Sequence, residues 1–466
     1  MGLCSPPFSH AQPAPDPSDF VHVVTIKGPL MADIHPFRAL RYDSHQVALG
    51  QVVTQPYDKI TPALQEKYYA ASPHNLVRII LGQRERNDHA QDNVYTRAAA
   101  YFHDWRRQGI LRQDAHPSLY VYSQRFTPPG SSSQLERRGF IGLGRIEDYS
   151  AGVIHRHEQT LAKPKADRLD LLRATRAHFG QLFMLYEDSG EIESLLATPA
   201  QPAISVSDEH DVLHRVWAVS DPHVIQSVQA VMKDKKLIIA DGHHRYETAL
   251  TYRNERRAAD SGAREKGVAP YEFVMMTFVN MNSPALLILP THRVVHSLAS
   301  FSEETFRKAA RLFFDVEDVD SSIDAVRAIA ILREAGRAGT AILAVTANRA
   351  FLLHHLDPNS TAHISSLSIR QQALDVVQLH KCLLEKILNL SEESINNQQN
   401  LSYVRDAAEA LAQVREPGGR ANITFLMNPC RMSQVRDIAF AGEVMPQKST
   451  DFYPKLLSGL TIYALD

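Results

Sequence analysis

The sequence predicts an α/β (α+β) protein. Short apolar runs of strand character alternate with amphipathic helical stretches, the pattern of layered mixed structure. The most apolar of those runs, Leu237-Ile238-Ile239-Ala240, stops at Asp241-Gly242 and passes directly into a helical period. The composition is that of a folded chain, with 44% hydrophobic and 22% charged residues.

The length of 466 residues suits about two or three packed units. Net charge is -2, from 50 basic and 52 acidic side chains, so no global basic field argues for nucleic acid. No apolar run approaches the ~20 residues that span a bilayer. Three cysteines, Cys4, Cys382 and Cys430, are odd in number and far apart. That suits reduced thiols and a cytoplasmic location, not a disulfide framework.

Residues 1–30 are rich in Pro, Ser and Ala and read as a disordered extension. No basic region precedes an apolar one as in a secretory signal, and Pro6 breaks the myristoylation pattern. The rest divides into a first unit at 31–295 and a second at 296–466. In the first, Thr61-Pro62 opens a helix with a cap and a first-turn proline. Residues 75–81 read as a strand. Asp92 to Gln108 is an amphipathic helix with Tyr95, Ala98, Phe102 and Trp105 along its core face. Residues 119–122 and 140–143 form a hairpin. Asp167 starts a helix through Arg176, and Asp221-Pro222 another through Met232. Residues 273–279 and 286–289 are strands. The second unit carries helices at 302–313, 321–335, 373–388 and 406–415, a hairpin over 341–356 and a strand at 422–427.

Chemistry concentrates in two places. At the end of the apolar run, Asp241-Gly242-His243-His244-Arg245 makes a tight strand-to-helix turn. Unpaired N–H groups at a helix start carry partial positive charge and bind phosphate where glycine lets the backbone come close. The second place is the loop 153–168, which mixes acids, bases and hydroxyls: His155, His157, Glu158, Thr160, Lys163, Lys165, Asp167 and Arg168. Two weaker candidates are Tyr57-Asp58, which read equally as turn residues, and Lys448-Ser449-Thr450, which lacks the Gly-x-x-x-x-Gly of a P-loop. His292-Arg293 reads equally as a solvated strand end. Adjacent histidines on a turn do not easily share one ion, so a His-only zinc site is set aside in favour of oxygen-ligated magnesium carried mainly by phosphate.

The stretch Ile239-Ala240-Asp241-Gly242-His243-His244-Arg245-Tyr246-Glu247-Thr248-Ala249 resembles the signature of a bacterial and archaeal family known as domain of unknown function 1015. Further matches are Gln55-Pro56-Tyr57-Asp58, the pattern at His157, Glu158, Thr160, Pro164, Lys165, Asp167 and Arg168, and the closing stretch 445–460. More distantly, Gly242-His243-His244-Arg245 resembles the phosphate-binding motif of sulfiredoxin, of ParB-type nucleotide-binding proteins and of free-serine kinases. His243 stands where sulfiredoxin has its nucleophilic cysteine, which excludes that thiol chemistry. The resemblance implies a ParB/sulfiredoxin-like nucleotide-binding core with elaborations over 31–295, and serine or a similar hydroxy acid as acceptor.

Taken together these residues suggest phosphoryl transfer, which needs neutralised phosphate oxygens, a metal and a base near the acceptor hydroxyl. Gly242, His243, His244 and Arg245 are expected to hold the phosphates of ATP or ADP. Asp241 is expected to hold Mg²⁺. Glu158 is the first candidate base and Asp58 the second. His157, Thr160, Lys165, Arg168 and Lys448 are expected to bind the substrate. A phosphatase on the same kind of metabolite and a ParB-like nucleotide-gated binding protein are the alternatives.

Overall fold

The run Leu237–Asp241 is an inner strand of a nine-stranded mixed sheet. In order, the strands are Ile154–His155, Leu237–Asp241, Leu182–Tyr186, Phe273–Asn280, Leu135–Arg145, Leu119–Phe126, Leu213–Val219 and Ile204–Ser207, with Ile34–His35 added on Leu135–Arg145. Leu237–Asp241 pairs in parallel with Ile154–His155 and antiparallel with Leu182–Tyr186. Its continuous apolar character follows from burial on both faces. Leu237 and Ile239 pack with Val228, Met232, Tyr246 and Ala249 of the helices Pro222–Met232 and His243–Ala259. Ile238 and Ala240 face Phe183, Met275, Leu457 and Leu460 on the other side. Each such fully buried side chain contributes roughly 1.5–3 kcal/mol.

The computed structural model describes residue 1 and residues 32–159, 162–260, 269–357 and 363–466. Of the extension expected over residues 1–30, residues 2–30 lie outside the described residues, as does Thr160. The architecture is mixed α and β, as the alternation of periods predicts. A second, antiparallel sheet of six strands runs Phe314–Val319, Ala350–Leu356, Ala341–Val345, Ala421–Met427, His292–His296, Leu401–Val404. Helices Ala325–Ala335 and Ala407–Arg415 cover one face, and Glu303–Ala310 and Leu379–Ile387 the other.

The chain crosses the expected boundary at 295/296 twice. Strand His292–His296 already belongs to the second sheet. Beyond residue 445 the chain returns: Asp451–Tyr453 pairs with Leu287–Leu289, and Tyr463–Ala464 with Ala177–His178. Residues 31–466 form one compact unit.

Three local expectations are corrected. Residues 75–81 form a turn and the short helix Val77–Ile80, not a strand. The Asn75 side chain accepts the Val77 N–H at 2.9 Å and starts that helix, a local bond that an apolar run does not reveal. The helix expected over 373–388 is broken into Asp375–Gln378 and a π-helical stretch Leu379–Ile387. His292-Arg293 lies on an inner strand and is buried, not solvated. Among the described residues no helix is long and apolar enough to cross a membrane.

Candidate active site

Gly242 makes the turn after Leu237–Asp241 with φ +98°, a left-handed conformation that favours glycine. A Cβ there would sit 2.9 Å from Leu182 Cδ2 and 3.0 Å from Arg245 Nη2. The Tyr246 N–H donates to the Gly242 carbonyl at 2.9 Å, closing the first turn of the 17-residue helix His243–Ala259. N–H groups ahead of that bond have no acceptor within the helix and form its positive end.

Parallel pairing of Leu237 with Ile154 and Ile238 with His155 brings the loop after His155 over this turn. His157 is fully buried. Its Nδ1 lies 2.8 Å from the Ile239 carbonyl, and its Nε2 lies 2.8 Å from Thr450 Oγ1. A carbonyl only accepts, so Nδ1 carries a proton. The His157 ring meets the His243 ring edge-on at 4.8 Å. Burial pushes both imidazoles below their usual range, and for His243 the field of His157 adds to it. Next to His157, Glu158 Oε1 accepts the Thr450 backbone N–H at 2.8 Å and lies 2.8 Å from Thr450 Oγ1. The Met445 N–H donates to the His157 carbonyl at 2.8 Å, so backbone ties this loop to the C-terminal return.

Behind the turn lies an ionic cluster. Asp241 Oδ2 is 3.5 Å from Lys455 Nζ and 3.9 Å from Arg245 Nη2. Lys455 also pairs with Asp451 at 3.0 Å, and Asp451 takes Arg405 Nη2 at 2.8 Å and Lys59 at 3.8 Å. Burial alone would raise the Asp241 carboxyl, but Lys455, Arg245, Lys59 and His243 outweigh it and hold the group far below the usual range. Burial alone would lower the Lys455 ammonium, and Asp241, Asp451 and Asp58 reverse that. Lys59 has less compensation: burial, then the charge of Lys455, pushes it down to about 8. The Lys455 carbonyl accepts Gln124 Nε2 at 2.8 Å, and Arg137 Nη1 donates to the Tyr453 carbonyl at 3.0 Å. The large sheet thus fixes the segment that carries Lys455.

In front lies a half-buried rim. His244 is lowered by burial and then by Lys448, with Glu247, Lys165 and Asp58 also acting on it. Lys165 pairs with the Glu247 carboxylate, which Arg156 approaches at 3.8 Å. Lys448 has φ +58°, a conformation costing about 1–2 kcal/mol for a residue with a side chain. The buried Arg293 braces it by donating from Nη2 to the Lys448 carbonyl at 3.0 Å. Arg168 stacks its guanidinium 4.3 Å above the Tyr57 ring and donates to the Ile80 carbonyl at 2.6 Å. Tyr57, Arg168, Arg245 and Ser458 line a hollow of about 70 Å³. A cavity of about 1330 Å³ opens beside Lys59, Ser449 and Lys455.

The sequence-derived residues therefore converge, with three corrections of role. His157 is enclosed and both its ring nitrogens are engaged, so it props the loop and does not meet a substrate. The His243 ring points inward, leaving only its backbone to face an anion. Arg245 Nη1 donates to the Gln181 carbonyl as well as facing Asp241, so it also holds the turn. Thr450 enters the site from the weaker candidate Lys448-Ser449-Thr450; Lys59 enters it with no signal in the sequence, and Asp451 and Lys455 enter it without having been singled out. Their signal was the density of titratable and hydroxyl groups over 448–455.

The magnesium expectation meets a charge count. Asp58, Asp241 and Asp451 stand against Lys59, Arg245, Arg405 and Lys455. The carboxylates suit a hard cation with oxygen ligands, but the cations already balance them. The donor set fits Mg²⁺ only if the ion arrives with the negative charge of phosphate.

A family model described as "Protein of unknown function (DUF1015)" matches residues 34–377. No curated protein matches. Among solved structures, a conserved hypothetical protein from Pyrococcus furiosus is 11% identical with a TM-score of 0.33, over 64% of this chain and 87% of its own. A free serine kinase in complex with AMP is 13% identical with a TM-score of 0.31, over 64% and 83% of the two chains. SbnI with C-terminal truncation, from Staphylococcus aureus, is 10% identical with a TM-score of 0.31, over 68% and 85%. Likeness at these scores transfers neither a ligand nor a residue role.

Proposed function

We propose that this chain, which belongs to the DUF1015 family of proteins of unknown function, is a nucleotide-dependent phosphotransferase acting on a small hydroxy metabolite such as free serine. The observation that carries the reading is the pairing of Ile154–His155 with Leu237–Asp241, which brings His157, the neighbour of Glu158 in the chain, against His243 of the glycine turn. In this reading a positive helix end, a carboxylate and several cations serve one cleft, the parts that phosphoryl transfer uses.

In this reading the N–H groups at the start of His243–Ala259, with Arg245, Lys448 and the outward His244, hold the phosphates of ATP or ADP. Asp241, with Asp58, would hold Mg²⁺, which neutralises phosphate charge when bound. Lys165 and Arg168 hold the acceptor's carboxylate. The acceptor hydroxyl oxygen bonds to the terminal phosphorus, the bond to the bridging oxygen breaks, and Glu158 takes the hydroxyl proton. The Thr450 contacts fall on Glu158 Oε1, so Oε2 is the oxygen that would meet the acceptor.

The test is transfer of labelled terminal phosphate from ATP, and separately from ADP, to serine. Labelled phosphoserine supports the proposal. Hydrolysis of phosphoserine without nucleotide would replace it with a phosphatase, and nucleotide binding without any turnover would favour a ligand-gated binding protein.

A further inference from the structure

Far from that cleft, at the edge of the second sheet, two consecutive histidines meet in a way a regular strand forbids. Strand Ala350–Leu356 lies between Ala341–Val345 and the edge strand Phe314–Val319. Successive side chains on a strand point to opposite faces, which would separate His354 from His355. The register is irregular here: Asp315 pairs with His354 and Phe314 with Leu356, leaving His355 as an extra residue. His355 has φ +48°, uncommon for a residue with a side chain. Such a bulge re-aims a side chain, and the two imidazole rings stand 4.6 Å apart.

We propose that Asp315, His354 and His355 form a binding site for one divalent transition-metal ion of the zinc type. The two Nδ1 atoms are 3.0 Å apart, and His355 Nδ1 is 3.4 Å from Asp315 Oδ2. One donor atom from each of the three residues lies within 4.8 Å of the others. Ligands bound tetrahedrally at about 2.0–2.1 Å are separated by about 3.3 Å, so the two measured edges are near those of a zinc tetrahedron. Glu317 Oε1 lies 3.0 Å from His354 Nε2, which is closed to solvent and has no in-line hydrogen bond. A carboxylate on the far nitrogen of a histidine ligand fixes its orientation and strengthens it. Two imidazoles and a carboxylate leave a fourth position for water. Asp315 and His355 are exposed, so an ion reaches the site without any opening of the fold. A strained residue where three donors converge is the pattern of a functional site. The ion would clip the edge strand to its neighbour.

The test uses the full chain without any affinity tag, stripped of metal by a chelator and titrated with Zn²⁺ in a calorimeter. Wild type should bind one equivalent, and His354→Ala and His355→Ala should lose it. Glu317→Gln should weaken binding about 10–100-fold. His355→Gly keeps the measurement decisive if the alanine variants fold poorly, because glycine accepts the left-handed backbone. It should melt no lower than metal-free wild type, yet lose the rise in Tm that Zn²⁺ gives wild type. Zn²⁺ uptake unchanged in the three histidine variants would overturn the proposal. So would a wild type that binds no Zn²⁺, which would leave the two rings as a simple hydrogen-bonded pair.

Discussion

The two flanks of the cleft solve different problems with the same residue types. Behind the glycine turn, the enclosed Asp451 and Lys455 side chains join the partly covered Asp241 and Lys59 and the exposed Arg405 in a charge cluster whose members compensate one another. In front, Glu158, Lys165 and His244 are partly covered and Lys448 is exposed, held in a strained conformation braced by Arg293. Charges buried with partners hold a structure, because removing one leaves the others stranded. Charges that water still reaches can exchange it for a ligand. The comparison therefore separates variants that unfold the protein from variants that silence it.

The largest effect is expected at the front. Glu158→Gln should lower turnover about 10²–10⁴-fold with nucleotide affinity unchanged, read from initial rates and a binding titration. Unchanged turnover would remove Glu158 as base. The back should answer in stability instead. Lys455→Met strands Asp241 and Asp451 and should lower unfolding free energy by about 3–5 kcal/mol, measured by urea denaturation. A loss below about 1 kcal/mol, the range of an exposed pair, would show that the cluster is no better than a surface network.

How much of this contrast was legible in the sequence follows from the distance between partners. The turn was readable because a strand buried on both faces writes an unbroken apolar run, and because Gly242 follows it at once. Glu158 stood out through the mixture of charges around it. The back flank was not readable, since Asp241 meets Lys455 only after the chain has left for the second sheet and returned. His157 misled for the same reason: it sits in a polar stretch, yet its partners are the Ile239 carbonyl and Thr450. The bulge at His355 left no local mark either, because a one-residue irregularity is a property of the pairing.

Smaller effects sharpen the comparison. Lys448→Ala should weaken nucleotide binding about tenfold, the scale of one charge-assisted hydrogen bond, while Lys448→Gly should also gain about 1 kcal/mol of stability by accepting the left-handed backbone. Equal melting of the two variants would argue against strain at this position. Lys59 links the flanks through pH. Its folded value of about 8 lies below the unfolded value of about 10.4. The unfolded chain then binds more protons between those values, so stability rises with pH across that window, and the penalty is fully present below it. Lys59→Met should flatten that profile, as followed by urea denaturation across pH.

The most direct test of the central claim, that the bend after Leu237–Asp241 grips phosphate, is calorimetric titration of ATP and ADP into wild type and Arg245→Ala. The variant must first show a cooperative thermal transition like that of wild type. The account predicts binding to wild type and affinity about 10–100-fold weaker in the variant, the scale of a charged hydrogen bond or two. Equal affinity in the two proteins would contradict it.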